Sequence, residues 1–148
     1  MKIFVICPVR GITETEETAI EKYVLNLENA GHAVHWPPRN TDQNDAVGLR
    51  ICLDNLMAIE KADEIHIWWN SSSQGSVFDF GMAFALKKKI ILVNKGEVEK
   101  TSFKSFGNVL LALDAVKESP KTTVEVTTYS CLLCGTTTLY PHICPVFL

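Results

Sequence analysis

The N-terminal stretch MKIFVICPVRG offers an apolar run of only about seven residues before Arg10 and a single Lys ahead of it. A membrane helix needs roughly 20 apolar residues, and a secretory signal needs a longer apolar core and a more basic start, so a cytoplasmic protein is expected. No sign of charge dominates. The 14 Lys and Arg against 17 Asp and Glu leave a net charge of -3, too little for a broad attraction to a nucleic acid polymer or an anionic membrane. A disulfide framework is not expected either, because the cysteine count is odd, at five. Cys7 and Cys52 lie within apolar patterns where a free thiol acts as a small core residue, and the other three crowd the C-terminus. His32, His35 and His66 lack the spacing of metal ligands and read as structural or surface residues. There is no internal repeat and no long low-complexity tract, which excludes a solenoid or a mostly disordered chain.

What is present is a regular alternation. Lys2 to Cys7 is a continuous, β-branched apolar run, the pattern of a parallel strand buried on both faces. Thr13 followed by Glu16 has capping-box spacing, Ile20, Tyr23, Val24, Leu27 and Ala30 recur at helical intervals, and Gly31 ends the helix. Ala33 to Trp36 reads as a second strand stopped by Pro37 and Pro38, followed by a polar, mobile loop from Arg39 to Asp45. A helix over about 47–61 shows the stripe Leu49, Cys52, Leu56 and Ile59. Next come a buried strand (ADEIHIWWN), a Ser-rich turn, an apolar helix starting near Ser76 or Val77, and another buried strand (IILVN). A last helix is expected from about Phe103 to Lys117, its buried face made of Phe103, Phe106, Leu110, Leu113 and Val116. Strands alternating with helices imply a three-layer α/β domain, a parallel sheet with flavodoxin- or Rossmann-like topology, spanning residues 1–118. Residues 119–148 change texture to Thr- and Cys-rich and form a short C-terminal appendage.

In an open parallel sheet, ligands bind beyond the carboxyl ends of the strands. Those ends here supply Cys7, Arg10 and Gly11, then Trp36 and Arg39, then Trp69 and the hydroxyls Ser71, Ser72, Ser73 and Ser76. A glycine, cations, indoles and hydroxyls suit a phosphorylated ligand with a flat ring. Asp79, placed by this reading in the first turn of its helix with Gly75 nearby, is chemically able to attack an electron-poor carbon. Ser76-Val77-Phe78-Asp79 fits a capping box equally well, and then the carboxylate needs no function. The Ser cluster is also readable as a plain polar turn, the indoles as core, and Lys87 to Lys89 as a complement to the helix C-terminus.

Taken together, Cys-Pro-Val-Arg-Gly after the first strand, the Ala62-Asp63 pair, and Ser-x-Gly-x-x-x-Asp-x-Gly-x-Ala over 73–83 resemble the nucleoside 2-deoxyribosyltransferase superfamily. Within it, the motifs are most similar to the 2'-deoxynucleoside 5'-phosphate N-hydrolases, and the match covers roughly residues 2 to 118. The resemblance implies cleavage of an N-glycosidic bond by a carboxylate two residues before the helix glycine, which is Asp79 before Gly81. The family carries Glu there, and a carboxylate one methylene shorter matters, since misplacement by about 1 Å can cost about a hundredfold in rate. Ser73 matches the nucleotide enzymes, in which that Ser serves the 5'-phosphate. Arg10 and Gly11 fit the same task, Trp69 or Trp36 is expected near the base, and Cys7, Gly75 and Ser76 are further substrate-binding candidates. The family's sugar-orienting Asp falls on Asn55, with Asp54 beside it but about 100° round the helix. The expected function is hydrolysis or transfer at the N-glycosidic bond of a nucleoside 5'-monophosphate, without a catalytic cofactor. The alternative is a nucleotide-binding sensor or sequestering protein with little turnover. A homodimer is expected from the resemblance alone.

The appendage bears Cys131-Leu-Leu-Cys134-Gly135, the form of a zinc knuckle, which His142 and Cys144 would complete as a structural zinc site. The opposing reading is an apolar tail with free thiols.

Overall fold

The computed structural model describes residues 1–118, 129–130 and 137–138, and the chain divides into two compact units, Met1–Glu118 and Ser119–Leu148. In the first unit, strands β1 (Lys2–Ile6), β2 (Ala33–His35), β3 (Glu64–Ile67) and β4 (Lys89–Leu92) alternate with helices. These are α1 (Glu14–Asn29), the short α2 (Pro37–Asn40), α3 (Leu49–Lys61), α4 (Gln74–Ala85) and α5 (Phe106–Glu118). The sheet order is β2-β1-β3-β4, and every pairing is parallel. That is the flavodoxin order, with its topological switch between β1 and β3. In the second unit the described residues form one antiparallel pair, β5 (Tyr129–Ser130) with β6 (Thr137–Thr138).

The alternation of side chains along β1 builds two cores. Phe4 and Ile6 join Ile65 and Ile67 of β3, Ile59 of α3, and Phe80 and Ala83 of α4 on one face. Ile3, Val5 and Cys7 meet Ile20 and Val24 of α1, with Trp36, on the other. Each fully buried aliphatic or aromatic side chain contributes about 1.5–3 kcal/mol, so this central strand anchors both layers. The α1 start is as the sequence predicts: Thr13 Oγ1 accepts from the Glu16 N–H, and Gly31 takes the left-handed backbone (φ +85) just past the end.

Five expectations are corrected. Pro37 and Pro38 do end β2, yet they also open α2, because a helix's first turn needs no N–H from them. The segment read as a polar loop therefore begins with a helical turn and leads to Thr41, whose side chain is buried. On α3 the inward positions are Asn55 and Ile59, whereas Leu49 is 63% exposed, so the inner stripe is turned toward a polar residue. α4 starts at Gln74, earlier than expected, since Ser73 and not Ser76 is its cap. On α5, Leu110 is buried while Phe103, ahead of the helix, Phe106 and Val116 are largely exposed. Lys88 also complements a helix end, but that of α3: its Nζ donates to the Glu60 and Ala62 carbonyls at 2.7 and 2.8 Å.

Candidate active site

Two cavities open at the carboxyl ends of the strands, on either side of the Asn70–Ser73 turn. The smaller, about 470 Å³, lies at the switch between β1 and β3 and contains Asp79. Cys7, Arg10, Asn55, Ser73 and Gly75 share its lining. The larger, about 840 Å³, is lined by Trp68, Trp69, Asn94 and Phe106, with Glu16, Glu97 and Glu99.

The position of Asp79 follows from how α4 begins. Ser73 Oγ accepts from the Ser76 N–H at 3.2 Å and from the Ser76 hydroxyl at 2.9 Å, which satisfies the helix start without any carboxylate. Asp79 is the sixth residue of α4, in its second turn, so it is neither the cap nor in the first turn as the sequence reading placed it. It is buried, and its Oδ2 accepts from Asn55 Nδ2 at 3.0 Å. No other described residue donates to this carboxylate, which leaves Oδ1 for the cavity. Burial raises the Asp79 pKa from 3.8 to about 6, and the Asn55 N–H is the weaker, opposing influence. At neutral pH the carboxylate is therefore mostly ionised but poorly solvated, the condition of a reactive nucleophile.

Asn55 is held in turn. Its Oδ1 accepts from the Thr41 hydroxyl at 2.9 Å, and Thr41 Oγ1 lies 3.0 Å from His35 Nε2. Burial keeps His35 below its ordinary pKa, and its ring stacks on Phe4 with centroids 5.0 Å apart and planes 10° from parallel. Asp54, next to Asn55, points away and pairs with Arg50 at 3.3 Å. Cys7, on the cavity wall, has its thiol pushed up to about 12 by burial and so stays neutral. Arg10 is exposed and has no ion-pair partner among the described residues.

Of the residues singled out from the sequence, Asp79, Asn55, Cys7, Arg10, Ser73 and Gly75 come together at this cavity. A Cβ at Gly75 would meet nothing within 4 Å, so no packing demands glycine there. Ser76 is buried beneath Ser73 and acts through it. Gly11, with φ +70, shapes the loop after β1 without lining the cavity. Trp69 is on the other side: it packs edge-on against Phe80, and its backbone is held by the Asn94 side chain at 2.8 and 3.0 Å. Trp36 belongs to the α1-side core. Thr41 was missed because a lone polar residue in a loop carries no periodic signal, and His35 because its partner is not near it in any motif. Cys131, Cys134, His142 and Cys144 lie outside the described residues. Among the described residues no cluster of three or more His, Cys, Asp or Glu is arranged to hold a metal ion. No helix among them is long and apolar enough to cross a membrane.

Sheet order and crevice together define the class: a parallel α/β domain of flavodoxin type with a buried carboxylate at its switch point. Solved structures similar to this chain include a 2-deoxyribosyltransferase from Bacillus psychrosaccharolyticus, 20% identical over 76% of this chain and 96% of that one, with a TM-score of 0.52. Another is a CMP N-glycosidase from Clostridium botulinum, 27% identical over 62% of this chain and 70% of that one, with a TM-score of 0.47. The first likeness establishes that the two chains share a fold. No protein-family model and no curated protein sequence matches the chain.

Proposed function

We propose that the chain cleaves the N-glycosidic bond of a nucleoside 5'-monophosphate, with Asp79 as nucleophile. The observation that carries this reading is the Asp79 carboxylate itself, buried at a strand-end crevice, with Oδ2 held by Asn55 and Oδ1 open to the cavity. Its ionised Oδ1 attacks the anomeric carbon as the bond to the base nitrogen breaks. The electron pair leaves with the base, which takes up a proton, and the sugar is held as an ester. Water then adds at the anomeric carbon, releasing sugar phosphate and free Asp79, the two-step course of retaining glycosidases. The Asn55 N–H keeps the carboxylate aimed and partly compensates for its burial. Arg10, without an ion-pair partner among the described residues, and the Ser73 hydroxyl on the cavity rim suit the dianionic phosphate. That a 2-deoxyribosyltransferase shares the fold agrees with this chemistry. A homodimer is part of the same reading, with exposed Phe78 and Phe84 of α4 as the apolar surface to be covered.

The test is to incubate the protein with ribo- and deoxyribonucleoside 5'-monophosphates and to follow free base by chromatography. Base release that disappears in Asp79→Ala is expected. No release from any nucleotide that demonstrably binds would overturn the hydrolase reading in favour of a binding protein.

A further inference from the structure

The hydrogen bonds behind Asp79 have a direction, and it is dictated from the carboxylate end. An ionised carboxylate only accepts, so the edge of Asn55 that faces it, at 3.0 Å, is the amide N–H. That turns Asn55 Oδ1 to Thr41, whose hydroxyl donates at 2.9 Å. A threonine hydroxyl has one proton, and this bond uses it. The contact between Thr41 Oγ1 and His35 Nε2, at 3.0 Å, is therefore one in which the ring donates. A neutral His35 must then carry its proton on Nε2, with Nδ1 bare. Three elements contribute: β2 supplies His35, the segment after α2 supplies Thr41, and α3 supplies Asn55.

We propose that Thr41 and His35 are positioning residues of the Asp79 site, which lock the Asn55 amide in the one orientation that offers its N–H to the carboxylate. The two ends of an asparagine side chain are nearly identical in shape, so packing alone does not choose between them. The carboxylate does so from one side and the Thr41 proton from the other. Without that proton only the Asp79 ion resists a turn of the amide that would set a carbonyl oxygen against it, and the ion is disfavoured. Other groups do not take over this role. Cys7, directly after β1 and near Asp79, is a neutral thiol, and Ser73 and Ser76 are bonded to each other. Arg10, from the loop after β1, and Cys52, from α3, line the same cavity, and neither donates to Asp79, whose hydrogen-bond partner among the described residues is Asn55. The catalytic consequence rests on Asp79 being the nucleophile, but the structural claim does not.

The full chain, isotopically labelled, allows two nuclear magnetic resonance measurements. The ring nitrogens of His35 in the unmodified protein report the tautomer. Nε2–H is expected at pH 8, and Nδ1–H would overturn the proposal with no substitution needed. The Asp79 carboxyl carbon, titrated in the protein and in Thr41→Val and Thr41→Ser, reports the amide. Loss of a hydrogen bond to a charged group raises the Asp79 pKa by about one or more in Thr41→Val, and Thr41→Ser restores it. An unmoved pKa in a folded Thr41→Val would also overturn the proposal. In an active enzyme the same change lowers kcat/KM about fivefold at pH 6 and hardly at pH 8, with rescue by serine. If the pKa moves while the unmodified protein releases no base from any nucleotide, the positioning holds and only the nucleophile assignment fails.

Discussion

The two strand-end cavities differ less in place than in organisation. The larger one has the greater volume, two indoles and three carboxylates, and by size would be the default ligand site. Its central amide, however, is spent within the protein: both ends of Asn94 hold the Trp69 backbone, and Asn94 Nδ2 also reaches Glu97 at 3.0 Å. The smaller cavity holds a buried carboxylate with one oxygen held and one free, and a cation with no ion-pair partner among the described residues. Reactivity follows from a polar group that is oriented yet unfinished, and volume alone does not supply that. A satisfied amide stabilises the fold, whereas a half-satisfied carboxylate stores a capacity to react.

Four substitutions would break or sharpen the contrast. The largest effect is expected from Asp79→Ala, which should lower base release about 10³-fold or more, read by chromatography under single-turnover conditions. If release stays within tenfold, the chemistry lies elsewhere. Asp79→Asn should at the same time make the protein more stable. A carboxyl whose folded pKa stands above its unfolded value binds its proton more tightly when folded, so its contribution to stability is favourable at low pH and is lost as pH rises from about 4 through 6. Removing the charge should therefore add about 2–3 kcal/mol at pH 7 in urea unfolding and nothing below about pH 4. Equal gains at both pH values would sink this account of its burial. Arg10→Ala should weaken binding of a nucleoside monophosphate about tenfold and leave the free nucleoside unchanged, by calorimetry. A matching loss for both ligands would remove Arg10 from the phosphate. The smallest effect is expected in the larger cavity, where Glu99→Gln should leave base release within twofold. A drop comparable to that of Asp79→Ala would reverse the comparison.

The fold was legible because it is written in continuous or periodic apolar runs: β1 as KIFVI, and α1 with its Thr13 cap. The order of the strands was not, since periodicity gives the faces of an element and says nothing of its neighbours. At the site, the Ser-x-Gly-x-x-x-Asp-x-Gly spacing singled out Asp79, but the start of α4 was misjudged because two serines three residues apart offer equally good caps. The inner face of α3 was misread for a physical reason. A polar residue is assigned outward by default, and Asn55 lies inward only because a carboxylate 24 positions later and a threonine 14 positions earlier satisfy it. On α5 the exposed Phe106 and Val116 defeat the complementary assumption that large apolar side chains turn inward.

The cap of α4 carries one more consequence. Ser73 Oγ receives two hydrogen bonds from Ser76, so both of its lone pairs are engaged and only its own proton is uncommitted. A hydroxyl in that condition reads polarity in one sense alone: it greets an acceptor such as a phosphate or carbonyl oxygen and has nothing to offer an ammonium or amide N–H. The helix start thereby leaves a hydroxyl donor, and no spare hydroxyl acceptor, at the rim of the cavity.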